Sequence, residues 1–252
     1  MGRTRVNTSA TVKLLADNPA AQSRLRAELR AGLDPLHPAA TLGPTTTAGR
    51  RAGPPPPTYA ELAAAHVPYL DSVVEEVLRH ANSIAFVVRQ TMCDGATVLG
   101  RRVPRGTNVF LMANGAGYLA PNMPVEPDES RSPGARRGVA SNAKALTGVW
   151  DDGDIAEFRP ERWLKRTTAA EGGQEGPVAF DPLAGPMLAF GLDPRGCYGK
   201  RLALQALRIQ IALVVWHFEL GRCPKELSGY DAVQRFAREP TQCYVRLSRV
   251  DW

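Results

Sequence analysis

The feature that most constrains this chain is a glycine- and proline-rich loop that delivers a cysteine to the start of a long apolar helix. The loop reads Phe190-Gly-Leu-Asp-Pro-Arg-Gly-Cys197-Tyr-Gly199, and the helix is predicted from about Tyr198 to Leu220. Its apolar residues nearly surround the helix axis, so the helix should be central and buried. The positive end of the helix dipole and the free N–H groups there favour the thiolate form of a cysteine.

The residues around Cys197 indicate a site for a flat ligand that carries a carboxylate. Gly191, Gly196 and Gly199 lack side chains, so a flat ligand can lie close to the backbone. Arg195 adds a positive charge suited to a carboxylate, and a thiolate is the ligand that pushes electron density into haem iron. The alternative is that Cys197 is a small buried apolar side chain near a turn.

The loop resembles the haem-binding loop of the cytochrome P-450 family, F-G-x-G-x-R-x-C-x-G. The resemblance implies that Cys197 is the axial thiolate ligand to the iron of haem b. It also implies haem-binding roles for other loop residues, namely Phe190, Gly191, Arg195 and Gly199. Two residues depart from the family pattern, because Asp193 replaces a usual glycine and Tyr198 replaces a smaller or non-hydroxylated apolar residue. We expect both replacements to be tolerated, with an altered fit at the proximal face of the haem.

A second motif lies on the helix predicted from about Pro68 to His80, whose apolar residues recur at helical spacing. Glu76 and Arg79 stand three residues apart on one face of this helix and can form an ion pair. On a solvated face such a pair is ordinary and contributes less than about 1 kcal/mol. Glu75 is the competing partner by position, but it breaks the E-x-x-R register.

The surroundings of this ion pair extend the resemblance. The whole helix resembles the K helix of the cytochrome P-450 family, and Phe158-Arg-Pro-Glu-Arg162-Trp163 resembles the family's F-x-P-E-R-F/W segment. The resemblance implies that Glu76, Arg79 and Arg162 form a buried charged triad. That triad would fix the irregular segment beneath the haem loop.

The order of the remaining segments is also similar to that of the family. A helical stretch is predicted from Thr11 to Arg30 with a break at Asn18-Pro19, and the part after the break resembles the J helix. Arg89 lies on the first predicted strand after the K-like helix, where the resemblance implies a contact with a haem propionate. The alternative for Arg89 is a surface arginine on an edge strand. The segment Gly100-Arg-Arg-Val-Pro-Arg-Gly-Thr107 resembles the family's G-x-x-I-P-x-G-T turn.

We therefore predict a mainly α fold with a small β-sheet (α+β), in which residues 1–252 form a partial cytochrome P-450 domain. The predicted domain runs from the J helix through the haem-binding loop to the final helix. A small sheet of hairpins is predicted between residues 85 and 112, and a last strand at 243–247. A Pro/Thr-rich linker is predicted at 33–58 and an irregular, partly disordered insertion at 120–148.

The resemblance covers only the C-terminal half of the family domain. No A-G-x-[DE]-T element of the family's oxygen-binding groove occurs in the sequence. Thr4 stands at about the right distance before Asn18-Pro19 for the threonine of that element, but its neighbours do not match. Most segments that contact substrate in the family are absent, so the sequence does not identify a substrate.

Charge and cysteine spacing exclude several classes of partner and compartment. The net charge is +6, but the basic residues are dispersed and no basic run with interleaved aromatics occurs, which argues against nucleic acid. The four cysteines have no C-x-x-C spacing, which argues against a zinc site and a secreted disulfide framework.

No apolar stretch reaches the roughly 20 residues that span a bilayer, so no transmembrane segment is predicted. The resemblance implies the cytosolic face of the endoplasmic reticulum membrane for full-length members; without their anchor, this chain is predicted to be cytoplasmic or peripheral.

The resemblance implies a haem-thiolate monooxygenase that inserts one oxygen atom from O₂ into a small organic substrate. An NADPH-dependent flavoprotein reductase would supply the electrons. Lys200, Arg201 and Arg208 would lie on the side where the reductase docks, whereas solvated helix charges are the alternative interpretation. Two other functions stay open: a non-catalytic haem-binding fragment or degenerate gene product, and a basic interaction module that binds no haem.

Overall fold

The computed structural model describes residues 2–33, 55–81, 83–98, 101–121, 147–168, 175–191, 195–235 and 237–250. Five α-helices lie in these ranges: α1 (Gly2–Asp17), α2 (Pro19–Leu33), α3 (Tyr59–Ala64), α4 (Pro68–Ala81) and α5 (Lys200–His217). Two 3₁₀ helices cover Pro160–Trp163 and Lys225–Leu227. The predicted linker at 33–58 and insertion at 120–148 fall mostly on residues 34–54 and 122–146, outside the described residues, and both stay predictions.

The strands in the described ranges are short and pair as separate two-stranded antiparallel ladders. They are β1 (Phe86–Gln90), β2 (Ala96–Val98), β3 (Arg101–Val103), β4 (Asn108–Met112), β5 (Leu164–Thr168), β6 (Glu175–Phe180), β7 (Phe218–Arg222), β8 (Ala232–Gln234), β9 (Arg238–Pro240) and β10 (Val245–Arg249). The ladders are β1–β4, β2–β3, β5–β6, β7–β10 and β8–β9. The predicted class, helices with small antiparallel sheets, is therefore the class that the structure has.

Helix α1 begins at Gly2, nine residues before the predicted start at Thr11. Polar residues dominate its first turns, so the sequence pattern missed them, and tertiary packing against α4, α5 and β7 holds the helix instead. The break before Pro19 is where it was predicted. Asn18 ends α1 by donating its side-chain Nδ2 to the carbonyl of Leu14 at 2.9 Å, and its own carbonyl accepts the N–H of Gln22 in α2 at 3.1 Å.

The hydrophobic core lies where α1, α2, α4 and α5 pack together. Its fully buried members include Leu15, Leu25, Val73, Ile211 and Val215. The predicted apolar stripe of α4 faces this core and is buried along its length. The prediction that α5 is a central, buried helix is wrong for its first turn, where Leu202 is 73% exposed.

A buried amide fastens α2 to strand β7. Gln22 is fully buried, and its Oε1 accepts the N–H of Leu220 at 2.8 Å while its Nε2 donates to the carbonyl of Leu220 at 3.0 Å. One glutamine side chain thereby pairs with both the N–H and the carbonyl of Leu220, a buried residue of β7. No helix within the described ranges is both long and apolar enough to cross a bilayer.

Candidate functional site

The carboxylate of Glu76 accepts hydrogen bonds from α4 and from the segment around the 3₁₀ helix Pro160–Trp163. Arg79, one turn along α4, donates Nε to Oε2 at 2.8 Å and Nη2 to Oε1 at 2.7 Å. Arg162 Nε donates to Oε1 at 3.2 Å, and the N–H of Arg159 donates to the same oxygen at 2.8 Å. Trp163 Nε1 donates to Oε2 at 2.9 Å. The structure thus brings Glu76, Arg79 and Arg162 together and adds two donors that the sequence motif did not identify.

Arg79 also binds the irregular segments on either side of the triad. Its Nη1 donates to the carbonyl of Ile155 at 2.6 Å and to the carbonyl of Tyr118. Its Nη2 donates to the carbonyl of Glu157 at 2.9 Å. Because Arg79 is only 1% exposed, these bonds replace water around its guanidinium. One arginine therefore ties α4 to two segments that have little regular structure of their own.

Arg162 joins the triad to a second carboxylate. Its Nη1 donates to Asp154 Oδ1 at 2.8 Å and its Nη2 donates to the carbonyl of the same residue at 2.9 Å. The hydrogen bond from Arg162 is the largest cause that lowers the pKa of Asp154. Trp163 packs against Trp150 edge to face, with ring centroids 4.8 Å apart. Two buried indole rings therefore pack beside the charged cluster.

The neighbouring glutamates of α4 have opposite electrostatic environments. Burial alone would raise the pKa of Glu76, but its hydrogen bonds and ion pairs with Arg79 and His80 outweigh burial and lower the pKa to about 2. Burial raises the pKa of Glu75 to about 7, and nearby Asp71 adds to the rise while Lys200 opposes it. The environment of Glu76 therefore favours its charged form, whereas the environment of Glu75 favours its protonated form.

A further network joins the two helices that resemble the J and K helices. Tyr69 of α4 donates its hydroxyl to Glu161 Oε1 at 2.8 Å, and Arg24 of α2 donates Nη1 to the same oxygen at 3.0 Å. The Arg24 guanidinium lies over the Tyr69 ring at 4.1 Å. Burial and the hydrogen bond to Glu161 raise the pKa of Tyr69. The 3₁₀ helix Pro160–Trp163 is therefore anchored by Glu161 as well as by Arg162.

The loop that carries Cys197 is closed by backbone hydrogen bonds. The N–H of Cys197 donates to the carbonyl of Phe190 at 2.7 Å, and the carbonyl of Cys197 accepts the N–H of Lys200 at 3.1 Å. Gly191 has a φ of 68°, a left-handed conformation that favours glycine. Gly199 is the N-cap of α5, so the cysteine precedes the helix by three residues. The loop thereby presents an exposed thiol at the helix N-terminus, as the sequence motif predicts.

Cys197 lines a cleft whose other walls come from α1, α4 and α5. Apolar residues make most of the lining, and Asn7 and Ser83 contribute polar groups; the cleft residues are Asn7, Leu78, Ser83, Ile84, Ala189, Phe190, Cys197, Ala203 and Leu207. A thiol donor, a glycine-rich loop and apolar walls fit the chemistry of a haem-thiolate site. The enclosed volume is about 70 Å³, smaller than a porphyrin, so haem binding requires the cleft to widen.

The other predicted haem contacts lie at the surface. Arg195 is exposed beside the loop. Arg89 is exposed on β1 and donates Nη1 to the carbonyl of Val88 at 2.9 Å, so its contact with a haem propionate stays a prediction. Thr4 lies within α1, and Asn7 of the same helix lines the cleft. Asn7 was not predicted as a site residue. The only indication in the sequence was its position as a polar residue on the face of α1 that also carries buried Thr11 and Leu14.

The basic residues of α5 divide into two kinds. Lys200 and Arg201 are exposed in the first turn of the helix. Arg208 instead donates to Asp71 Oδ1 at 2.9 Å and to the carbonyls of Leu62 at 2.5 Å and Ala65 at 2.9 Å. Arg208 therefore fixes the junction between α3 and α4, and only the first two residues remain available as surface charges.

Comparison with known proteins agrees with this architecture. A crystallised cytochrome P-450 superposes with a TM-score of 0.60 at 20% identity, covering 98% of this chain and 42% of the other, which shows the fold. The family model for cytochrome P-450 matches residues 4–118 and 149–236. The chain belongs to the cytochrome P-450 family.

The curated relatives are fungal cytochrome P-450 monooxygenases. One from Fusarium sporotrichioides is 36% identical over 98% of this chain and 40% of its own length. Another, from Dothistroma septosporum, is 38% identical over 76% of this chain and 61% of its own length. A third, from Pestalotiopsis microspora, is 34% identical over 94% of this chain and 37% of its own length. The chain thus spans about two fifths to three fifths of the length of these relatives.

Proposed function

We propose that this chain is the haem-binding, C-terminal part of a cytochrome P-450 monooxygenase and that Cys197 ligates the iron of haem b as a thiolate. The observation that carries the proposal is the exposed thiol at the N-terminus of α5, on an apolar cleft that α1 and α4 complete. The fungal relatives, each named as a monooxygenase, support the same activity. In this assignment α2 corresponds to the J helix, α4 to the K helix and α5 to the final helix of the family domain.

When bound, the haem supplies O₂ activation and the insertion of one oxygen atom into a small organic substrate. The residues of this chain hold and shape its site. Cys197 provides the donor atom, and Phe190 and Gly191 shape the loop; a Cβ at Gly199 would lie 3.9 Å from Cys197 Sγ, an ordinary van der Waals contact. The Glu76 cluster fixes the segment 155–163 against α4, whose Leu78 forms part of the cleft wall.

We also propose that a partner protein delivers electrons to the haem from the surface near Cys197. An NADPH-dependent flavoprotein reductase at the cytosolic face of the endoplasmic reticulum would dock near Lys200 and Arg201, which are exposed three and four residues after Cys197. The guanidinium of Arg195 is exposed on the same loop. Exposed cations close to the iron ligand suit an acidic partner surface.

The second candidate function is non-catalytic haem binding. The observation in its favour is that the sequence has no A-G-x-[DE]-T element, so no recognised residue pair delivers protons above the iron. Turnover distinguishes the two candidates: incorporation of ¹⁸O from ¹⁸O₂ into an organic product supports the monooxygenase, whereas haem binding without such incorporation supports the alternative.

Spectroscopy of the haem-reconstituted chain tests the ligand assignment. After reduction and addition of carbon monoxide, thiolate ligation gives a strongly red-shifted Soret band, and Cys197→Ala should remove it. Cys93→Ala is the matched control, because Cys93 is an equally exposed cysteine in the turn that precedes β2. Identical spectra for wild type and Cys197→Ala would refute the assignment.

A further inference from the structure

A second cavity lies beside the β8–β9 hairpin, and we call it the hairpin cavity. Helix α1, the end of α4 and the residues that flank the hairpin line it, and its volume is about 210 Å³. That volume equals roughly seven water molecules in the liquid, which is room for a small organic molecule. The hairpin cavity shares no lining residue with the cleft of Cys197, so it is a separate site.

The strand pairing of the hairpin places Arg238 on the face that lines the hairpin cavity. Ala232 of β8 lies opposite Pro240 of β9, and both residues line the cavity. Because side chains alternate between the two faces of a strand, Arg238 points to the same side as Pro240, two residues along β9. Arg238 is half-buried, whereas Glu239, which faces the other way, is exposed.

The guanidinium of Arg238 is available to a ligand. Its side chain has no hydrogen bond or ion pair in the part of the chain that the structure describes. The adjacent carboxylate, that of Glu239, points to the opposite face of the hairpin, where its Oε2 lies 3.9 Å from Arg235 Nε. The positive charge of Arg238 is therefore not neutralised by its neighbours on the strand.

The rest of the lining gives the hairpin cavity a mainly apolar wall and a positive charge. Its ionisable residues are Lys13, His80, Tyr230, Arg238 and Cys243, and no carboxylate occurs among the described residues that line it. Lys13 is buried and paired with Asp17, which also accepts the hydroxyl of Tyr230 at 2.5 Å. The charge of Lys13 is therefore largely neutralised, whereas the charge of Arg238 is not.

We infer that the hairpin cavity binds a small organic carboxylate, whose charged group pairs with Arg238 and whose apolar part fills the space between α1 and the hairpin. A guanidinium can donate two parallel hydrogen bonds to a carboxylate, and this geometry selects a planar anion. Apolar walls favour a ligand with an apolar body, because its burial removes apolar surface from water. The inference does not depend on the proposed function, since the haem site is not involved.

Phenylacetate and its neutral analogue phenylacetamide are matched probes for the hairpin cavity, because they differ in charge and hardly in size. In calorimetric titrations of the purified, haem-free chain, phenylacetate should bind about tenfold more tightly than phenylacetamide, which is typical of one hydrogen bond to a charged group. Arg238→Gln should remove this difference and leave the affinity for phenylacetamide unchanged. Arg235→Gln, on the same hairpin but not in the cavity lining, is the matched control and should keep the difference.

Alkylation of Cys243 locates the bound probe in the wild-type chain without any substitution. Cys243 lines the hairpin cavity, whereas Cys93 is an exposed cysteine outside it. Saturating phenylacetate should slow the reaction of Cys243 with N-ethylmaleimide, followed by mass spectrometry, and should leave the reaction of Cys93 unchanged. Absence of phenylacetate binding, equal affinity for the two probes, a difference that survives Arg238→Gln, or an unchanged rate at Cys243 would each overturn the inference. None of these results bears on haem ligation by Cys197.

Discussion

Replacement of Glu76 is the sharpest perturbation that the structure offers. The carboxylate is 0% exposed and accepts five hydrogen bonds, two of them from a guanidinium that is 1% exposed. Glu76→Ala leaves Arg79 buried without its anion and leaves the indole N–H of Trp163 unpaired. Breaking a buried pair in this way costs about 3–5 kcal/mol. Arg162 keeps Asp154 as a partner, which places the expected loss near the lower end of that range.

The pH dependence reports how much the charged form of Glu76 stabilises the folded chain relative to the protonated form. The folded-state pKa of Glu76 is lowered from 4.5 to about 2, so its stabilising contribution is fully present above the unfolded-state value. That contribution is lost as the pH falls from about 4.5 to about 2, and the shift corresponds to roughly 3 kcal/mol. Glu76→Gln keeps one acceptor oxygen but not the charge, so this variant should lose the part of the pH dependence that Glu76 contributes in that window, whereas the part from Asp154 remains.

Urea unfolding of the purified 252-residue chain, followed by tryptophan fluorescence at pH 7, measures these losses. The expected order of unfolding free energies is wild type, then Glu76→Gln, then Glu76→Ala. Glu75→Ala is the matched comparison at the adjacent carboxylate: because burial opposes the charged form of Glu75, this variant should not lower the unfolding free energy. If Glu76→Ala unfolds within about 0.5 kcal/mol of wild type, an amount typical of surface substitutions, the buried-triad argument is wrong.

Two other substitutions test the electrostatics and the buried amide. Because burial raises the pKa of Glu75 to about 7, its charged form destabilises the folded chain, and stability should fall as the pH rises from about 4.5 to about 7. Glu75→Gln should abolish that fall and raise the unfolding free energy at pH 8 by about 1–3 kcal/mol, whereas a pH profile identical to wild type would contradict the assignment. Gln22→Leu should cost about 2–3 kcal/mol in urea unfolding, since both backbone groups of Leu220 lose their partner. Gln205→Leu, at an exposed position of α5, is its control and should change the free energy little.

The sequence predicted the parts of the site whose residues lie within one motif. The E-x-x-R spacing on α4 and the glycine-rich loop at Cys197 are local patterns, and the structure has the predicted helix and loop at both places. The contacts of Arg79 with the carbonyls of Tyr118, Ile155 and Glu157 could not be predicted in this way. Every residue has a carbonyl, so such an acceptor has no signature in the sequence.

Other features of the structure were not predicted from the sequence for the same physical reason. Arg208 has the sequence pattern of a solvated helix charge, yet it holds the α3–α4 junction, because the carbonyls at the end of α3 lack partners within that short helix. Helix α1 has polar first turns and a weak apolar pattern, and only its packing against α4, α5 and β7 makes it regular. Asn7 was missed together with these turns, since a buried asparagine is recognised only when its neighbours are known.

Helix α4 connects the charged cluster to the cysteine cleft. Glu76 holds the segment 155–163, Leu78 forms part of the cleft wall, and Glu75 lies close enough to the first turn of α5 for Lys200 to act on its pKa. These residues lie within one turn of α4, so a shift of this turn would displace all of them. Loss of the Glu76 carboxylate should therefore disturb the cleft and the start of α5 although it touches neither. Under the proposed function, we therefore expect the charged triad to support haem binding by fixing α4, and not by contact with the cofactor.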